Sequence, residues 1–292
     1  MRLVLPITCL ALAGVAVVDA AAQSAPAAPS PPVVRDAPPA VARTARDSIL
    51  RAAQQAAGGG QMDAARAMFV QARERARSPS ERLRYGIDVS DTHLAEGDDA
   101  AALKELAEVA RGAEALRLDT VAVRAHDGLA VIEALRGRPE AVVTHLGRAE
   151  TVRRRAGIGD LPFHALFAAL AYALAGPSDS ARAILARRAS EARAVPDSTV
   201  RAARLRRGAA VRALVLLRDG RCAEALVVLA EAHPDDILAQ AVRARCAEQI
   251  GRVEEAAAFK RQVRTRTDVN PFTWYTIAAR RVAAGYAPSV AR

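Results

Sequence analysis

Small and bulky apolar residues recur at fixed distances after six glycines, and this pattern is the clearest structural signal in the chain. Five residues after each glycine comes a small or apolar side chain, and four residues later comes a bulky one. Apolar positions four residues apart lie on one face of an α-helix, so each glycine predicts the start of an amphipathic helix. The glycines are Gly60, Gly97, Gly137, Gly176, Gly220 and Gly251, at intervals of 31 to 44 residues.

The residues at these two positions fit close packing between helices. The first position holds alanine after five of the glycines, namely Ala65, Ala102, Ala181, Ala225 and Ala256, while Val142 takes this place after Gly137. The second position holds Phe69, Leu106, Leu146, Leu185 and Leu229, with Lys260 as the exception. A small residue lets two helices approach closely, and a bulky residue one turn later fills the groove beside it. The pattern predicts stacked helical hairpins that bury their apolar faces against their neighbours.

The turn segments resemble those of the tetratricopeptide repeat family. The matching segments are Gly60-Gln-Met-Asp-Ala-Ala65, Gly220-Arg-Cys-Ala-Glu-Ala225 and Gly251-Arg-Val-Glu-Glu-Ala256, and the resemblance covers residues 47–266. The aromatic, Leu-Gly and Tyr pattern of the family's first helix is poorly kept. The resemblance implies an all-α, right-handed α-solenoid of about six helix-turn-helix units with a C-terminal capping helix. An α-helical repeat of another family is the alternative.

The N-terminal region differs from the repeats. Residues 1–22 combine Arg2, an apolar run and small residues at the end, which predicts a cleaved export signal, with an uncleaved membrane anchor as the alternative. Residues 23–45 contain six prolines and predict a disordered Pro/Ala-rich linker. The helical repeat domain is predicted over residues 46–287 and a disordered tail over residues 288–292. We expect an exported protein, periplasmic, bound to the cell envelope or secreted, without a membrane span after cleavage.

A final helix is predicted near the C-terminus. Asn270 is a good N-cap and Pro271 a good first helical residue, and the helix is expected to end near Gly285. Four of the few aromatic residues gather in this segment, namely Phe272, Trp274, Tyr275 and Tyr286. We interpret them as a seal over the open end of the repeat array, and an aromatic ligand site is the alternative.

Composition and charge narrow the classes of function. Of the 292 residues, 51% are hydrophobic but only 3% are aromatic, and the formal net charge is +10. This composition excludes a wholly disordered chain, a collagen-like chain and a small disulfide-rich fold. Basic surfaces favour nucleic acids, but export separates this chain from them, so no nucleic-acid partner is expected.

Motifs for catalysis, cofactors and metals are absent from the sequence. The five histidines fall in different units, and no zinc-ligand spacing, phosphate-binding loop or nucleophile elbow occurs. The closest acidic cluster, Asp88, Asp91 and His93, is interpreted as a solvated helix face. We therefore expect a non-enzymatic protein with neither a cofactor nor a metal site.

Two sets of side chains are candidates for binding and cross-linking. Arg201, Arg204 and Arg243 lie on predicted first helices, which line the concave groove of tetratricopeptide arrays. Their guanidinium groups are candidates for gripping a carboxylate or an acidic peptide, and solvated arginines are the alternative. Cys222 and Cys246 lie equally far from the predicted loop that joins two antiparallel helices. They are candidates for a disulfide, and two buried thiols are the alternative.

The sequence as a whole favours an exported, non-enzymatic scaffold that binds a protein or peptide partner. The alternative is an enzyme-associated subunit, or a protein that binds anionic envelope polymers through its arginine-rich surface. Neither the identity of the partner nor the oligomeric state follows from these patterns.

Overall fold

The part of the chain that the structure describes consists of α-helices and their connections. The computed structural model describes residues 40–159, 163–266, 270 and 273–286, and within these ranges it contains thirteen helices and no strand. The helices are α1 (Ala40–Gly58), α2 (Met62–Glu74), α3 (Pro79–Glu96), α4 (Asp99–Ala115), α5 (Asp119–Leu135), α6 (Pro139–Arg155), α7 (His164–Leu174), α8 (Ser178–Arg193), α9 (Ser198–Arg218), α10 (Cys222–Leu229), α11 (Ile237–Gln249), α12 (Val253–Thr265) and α13 (Trp274–Ala283). The predicted all-α fold class is confirmed.

The six glycines lie at the turns between paired helices, as the sequence pattern predicts. Five of them adopt positive φ angles between 70° and 92°, and these are Gly60, Gly97, Gly137, Gly220 and Gly251. Glycine suits this left-handed conformation because it has no Cβ atom to clash with the backbone. Gly176 does not adopt a positive φ; it is followed by Pro177, which occupies the N-cap position of α8.

The two repeated apolar positions are buried. The five alanines and Val142 expose at most 2% of their surface, and the five bulky residues at the second position expose at most 6%. Lys260 is half-buried, and its ammonium group pairs with Glu248 on the preceding helix α11. These positions therefore form the core side of the even-numbered helices, as predicted.

The odd-numbered helices from α3 onward form a closed cycle of contacts. Each contacts the next odd-numbered helix along the chain, and α13 returns to contact both α3 and α5. Each even-numbered helix packs between the two odd-numbered helices that flank it in sequence. The C-terminal helix therefore packs against helices from the first half of the chain as well as against its neighbour α11.

The buried residues form two clusters. The larger cluster extends over α3 to α13 and is rich in alanine, which allows close contacts between helices. The smaller cluster joins the α1–α2 hairpin to one face of α3 through Phe69, Tyr85 and Val89. The N-terminal hairpin thus has its own small core.

The structure shows where the first and the last described helices begin. Helix α1 begins at Ala40, ahead of the predicted boundary at residue 46. The N-cap of α13 is Thr273, whose hydroxyl oxygen accepts a hydrogen bond from the backbone N–H of Thr276 at 3.3 Å. The predicted N-cap Asn270 is therefore wrong, because a threonine three residues later supplies the same kind of cap. The predicted signal, most of the predicted linker, Phe272 and the predicted tail lie outside the described residues.

None of the helices within the described ranges is both long and apolar enough to cross a membrane.

Candidate functional site

The side chain of Trp274, in the first turn of α13, is inserted among three other odd-numbered helices. It is 2% exposed, and its indole Nε1 donates a hydrogen bond to Oδ1 of Asp91 on α3 at 2.6 Å. Phe167 on α7 packs edge to face against the indole, with ring centroids 5.0 Å apart. A Cβ atom added to Gly128 on α5 would lie 2.8 Å from Cη2 of the indole. We call Asp91, Gly128 and Phe167 the Trp274 socket.

The rest of α13 is held by polar anchors at both ends. The phenol of Tyr275 donates to the carboxylate of Asp236, the N-cap of α11, at 2.9 Å. The guanidinium group of Arg281 donates to Oδ2 of Asp99 at 2.8 Å, next to the C-terminal end of α3. The phenol of Tyr286 donates to the carbonyl of Ala134 on α5. These bonds fix α13 alongside α3, α5 and α11.

Three acidic side chains lie in or next to the socket, in a chain whose net charge is positive: Asp91 is a member of it, Asp88 lies one turn earlier on α3, and Asp127 precedes Gly128. Asp88, Asp91 and Asp127 lie close enough to Arg124 for its charge to favour their ionised forms. Burial outweighs this effect and raises the pKa of all three carboxyls, that of Asp91 well above its usual range. The Arg124 guanidinium carbon lies 5.6 Å from the centroid of the Trp274 ring. The socket therefore combines an aromatic slot with buried acidic groups.

The interpretation of Asp88, Asp91 and His93 as a solvated face is wrong for the two acids. Asp91 is 5% exposed, and the Asp88 side chain is 13% exposed and pairs with Arg46 at 3.3 Å. The reason is that their face of α3 is covered by other helices, including α13. Sequence reasoning missed this because Trp274 lies 183 residues from Asp91. The one local hint was Gly128 inside an apolar helix, which favours close approach of another group.

Two histidines form hydrogen-bonded pairs with acids near this region. Nδ1 of His164 lies 2.7 Å from Oδ1 of Asp127, and Nε2 of His126 lies 2.8 Å from Oε1 of Glu114. Burial lowers the pKa of His164, but the hydrogen bond to Asp127 and the charge of that carboxylate together outweigh burial, so the net pKa is raised. Such pairs satisfy buried polar groups. Among the described residues, no group of three histidine, cysteine, aspartate or glutamate side chains is placed to hold a metal ion.

The His126 ring also stacks on that of His145, with centroids 5.7 Å apart. Burial lowers the pKa of His145 to about 4, and the neighbouring His126 and Arg148 act in the same direction. His145 is therefore neutral at physiological pH.

The three candidate arginines have different surroundings. Arg201, in the first turn of α9, donates to the carbonyl of Val195 at 3.0 Å, just beyond the end of α8. Arg243 on α11 donates to the carbonyl of Leu229, the last residue of α10, at 3.0 Å. Both guanidinium groups thus satisfy carbonyls at helix ends. Arg204 is exposed. The clamp stays a prediction, and two of its three members already have backbone partners.

The two candidate disulfide cysteines are buried free thiols in the structure. Cys222 opens α10, and its thiol donates to Oε1 of Gln249 at 3.0 Å. Cys246 lies on α11, and burial together with a hydrogen bond to Cys222 raises the pKa of its thiol well above the usual range. The two side chains therefore meet as the loop symmetry predicts. Whether they form a disulfide stays a prediction.

Comparison with known proteins identifies no family for this chain. No protein-family model matches it, and no curated protein sequence matches it significantly.

Proposed function

We propose that the chain is an exported, non-enzymatic scaffold that binds a helical segment of a protein partner in the periplasm or cell envelope. In this proposal the hairpins form a right-handed, tetratricopeptide-like solenoid whose odd-numbered helices line the concave side. The repeated turns, the buried alanine positions and the contacts between successive odd-numbered helices support this architecture.

The observation that carries the proposal is the insertion of Trp274 into its socket. An amphipathic helix that lays an aromatic anchor into a groove between other helices is a recurrent mode of peptide recognition. Here α13 makes this contact within one chain, with Trp274 on Asp91 and Arg281 on Asp99. The surface formed by α3, the start of α4 and α5 therefore has the side chains needed to recognise a helix.

The chemistry of the socket defines the partner helix. The buried Oδ1 atom of Asp91 needs a hydrogen-bond donor, so the socket favours an indole or another N–H group at the start of the helix. Asp99 favours an arginine about two turns later, as Arg281 is in α13. We therefore expect a helix with an aromatic residue followed by a basic one, which takes the place of α13.

The direct test supplies α13 as a separate molecule. A fluorescently labelled peptide of residues 270–286 is titrated into the full-length wild-type chain and into its Trp274→Ala variant. The intramolecular helix competes at high effective concentration in the wild type. We expect the variant to bind the peptide at least about tenfold more tightly, which corresponds to about 1.4 kcal/mol.

Two controls make the test specific. A peptide in which Trp274 is replaced by alanine should lose binding, and Asp91→Leu in the host should weaken it. Equal affinity of the peptide for the wild-type and the Trp274→Ala hosts would contradict the proposal. An affinity that Asp91→Leu in the host leaves unchanged would contradict it as well. If circular dichroism shows that Trp274→Ala unfolds the chain, Arg281→Gln replaces it as the variant with a weakened α13.

The second candidate function, binding of anionic envelope polymers, is favoured by a different surface. Arg193, Arg204 and Arg206, at the end of α8 and in the first half of α9, are exposed and make no ion pair with the described residues. Binding of a polyanion there should weaken steeply as salt rises, and Arg204→Gln with Arg206→Gln should reduce it. A protein partner held by the Trp274 socket should survive moderate salt.

A further inference from the structure

A separate cavity of about 530 Å³ lies in the N-terminal part of the fold, between α1, α2 and α3. Each later odd-numbered helix packs against the next one, whereas α1 and α3 lack comparable packing and approach each other through side chains. Arg46 of α1 spans them, with its guanidinium carbon 5.6 Å from the Tyr85 ring centroid and its Nη2 3.3 Å from Asp88. The volume is that of a small-molecule site.

The floor of the cavity is apolar. Its lining includes Ile49 and Ala52 of α1, Met68 and Ala72 of α2, and the ring of Tyr85 on α3. Most of these residues belong to, or pack against, the small N-terminal core and not the large cluster. Ile49, Ala52 and Met68 are half-buried, so apolar surface remains open to a ligand.

The lining is basic at the junction of α2 and α3. Arg75, the C-cap of α2, and Arg77 both line the cavity and are exposed. Neither guanidinium group makes an ion pair with the described residues. The one lining carboxylate, Glu81, accepts a hydrogen bond from the backbone N–H of Arg77 at 2.8 Å and closes the N-terminal turn of α3. Two guanidinium groups thus stand beside an apolar floor.

We propose that this cavity binds an amphiphilic anion, with an alkyl chain over the apolar floor and a carboxylate or phosphate head at Arg75 and Arg77. Burial of the alkyl chain supplies the hydrophobic contribution, and each guanidinium group can donate hydrogen bonds to the oxygen atoms of an anionic head. This site is distinct from the Trp274 socket, so it goes beyond the proposed function. Its chemistry fits a free fatty acid or a phospholipid head with its chain.

Isothermal titration calorimetry of the full-length protein tests the proposal with sodium decanoate below its micelle concentration and with decanol as the uncharged control. We expect decanoate to bind, and Arg75→Gln with Arg77→Gln to weaken it at least about tenfold while decanol is unaffected. Arg261→Gln with Arg264→Gln, at two exposed positions of α12 away from the cavity, is the matched control and should leave decanoate binding unchanged. Binding to vesicles of decanoyl phospholipid would indicate a phospholipid as the ligand, and binding to decanoate alone would indicate a free fatty acid.

A variant whose larger side chain fills the cavity provides a second test of the proposed site. Ala72→Phe should abolish binding of both decanoate and decanol, and Ala52→Leu replaces it if Ala72→Phe unfolds the N-terminal hairpin. Tryptophan emission from Trp274 reports that the rest of the fold is intact. Absence of decanoate binding to the wild type would overturn the proposal. Decanoate binding to the cavity-filled and arginine variants that is as tight as to the wild type would also overturn it.

Discussion

The indole nitrogen of Trp274 lies 2.6 Å from a carboxylate oxygen of Asp91, a residue 183 positions earlier in the chain. The two residues belong to the last and the third helix of the described fold. This bond joins the C-terminal helix to the N-terminal third of the repeat array. It also explains why a carboxyl group is buried on a helix face that the sequence pattern assigns to solvent.

Because of this bond, we expect two substitutions at Asp91 to lower the free energy of unfolding by different amounts. Asp91→Leu removes the acceptor and leaves a buried indole N–H without a partner, so we expect a loss of about 1 to 3 kcal/mol in the free energy of unfolding. Asp91→Asn retains an acceptor oxygen, so it should lower the free energy of unfolding less than Asp91→Leu does. Urea unfolding followed by circular dichroism measures both.

A double-mutant cycle separates the bond from packing. Phenylalanine at position 274 has no N–H group, so Asp91→Leu should cost clearly less in a Trp274→Phe background than in the wild type. Equal costs in the two backgrounds would show that the indole bond does not stabilise the fold.

The close approach of other side chains to Gly128 predicts that a larger residue at this position destabilises the fold. A Cβ atom there would lie 2.6 Å from Cδ2 of Leu106 and 2.8 Å from Cη2 of Trp274, so Gly128→Ala should destabilise the chain by about 1 to 3 kcal/mol. Gly147→Ala is the matched control, because nothing lies within 4 Å of its added Cβ and alanine favours a helix. Thermal unfolding should move in opposite directions for the two variants. A stabilising Gly128→Ala would contradict the close approach of the indole.

Because the two thiols are buried, we expect them to react slowly with thiol reagents in the folded state. Because the thiolate is the reactive species and burial raises the pKa of Cys246, reduced folded protein should react slowly with a thiol reagent. Unfolding under non-reducing conditions then counts the free thiols of the purified protein. Two reactive thiols per mature chain would exclude the predicted disulfide between Cys222 and Cys246, and none would confirm it.

His145 predicts part of the pH dependence of stability. Its pKa is about 4 in the folded chain and 6.5 in the unfolded chain, so the unfolded state binds more protons between these values. The contribution of neutral His145 is therefore present above about pH 6.5 and is lost as the pH falls toward 4. Because the ring is partly exposed, solvent screening limits the effect to at most about 1 kcal/mol.

The variant His145→Gln isolates this contribution. The difference in stability between pH 7.5 and pH 5 should be smaller in the variant than in the wild type, measured by urea unfolding at both values. His164, whose pKa is raised, acts in the opposite direction and is unchanged in both proteins. An identical pH dependence in the two proteins would contradict the neutral, buried state of His145.

The local features of the fold could be predicted from the sequence because they depend on neighbours along the chain. The glycine turns, the helix starts after them, and the burial of Ala65 or Leu106 follow from spacing within one hairpin. Even the approach of Cys222 to Cys246 follows from symmetry about a single loop.

The Trp274 socket could not be predicted in this way. Its members lie on α3, α5 and α7, and nothing in local spacing shows that α13 returns to them. The same limit applies to Arg201 and Arg243, whose guanidinium groups bond to the ends of preceding helices and not to a shared ligand. Contacts between different helices determine the packing and the hydrogen-bond partners of these residues.

The most direct test of the account is the fluorescence of the intact, full-length chain, because Trp274 is its single tryptophan. With the indole 2% exposed in its socket, emission should be shifted to shorter wavelength than that of free tryptophan and protected from acrylamide quenching. Asp91→Leu should shift the emission to longer wavelength and increase quenching without loss of helix content. An emission maximum and quenching constant equal to those of free tryptophan in the folded wild type would contradict the placement of α13 and, with it, the proposed helix-binding surface.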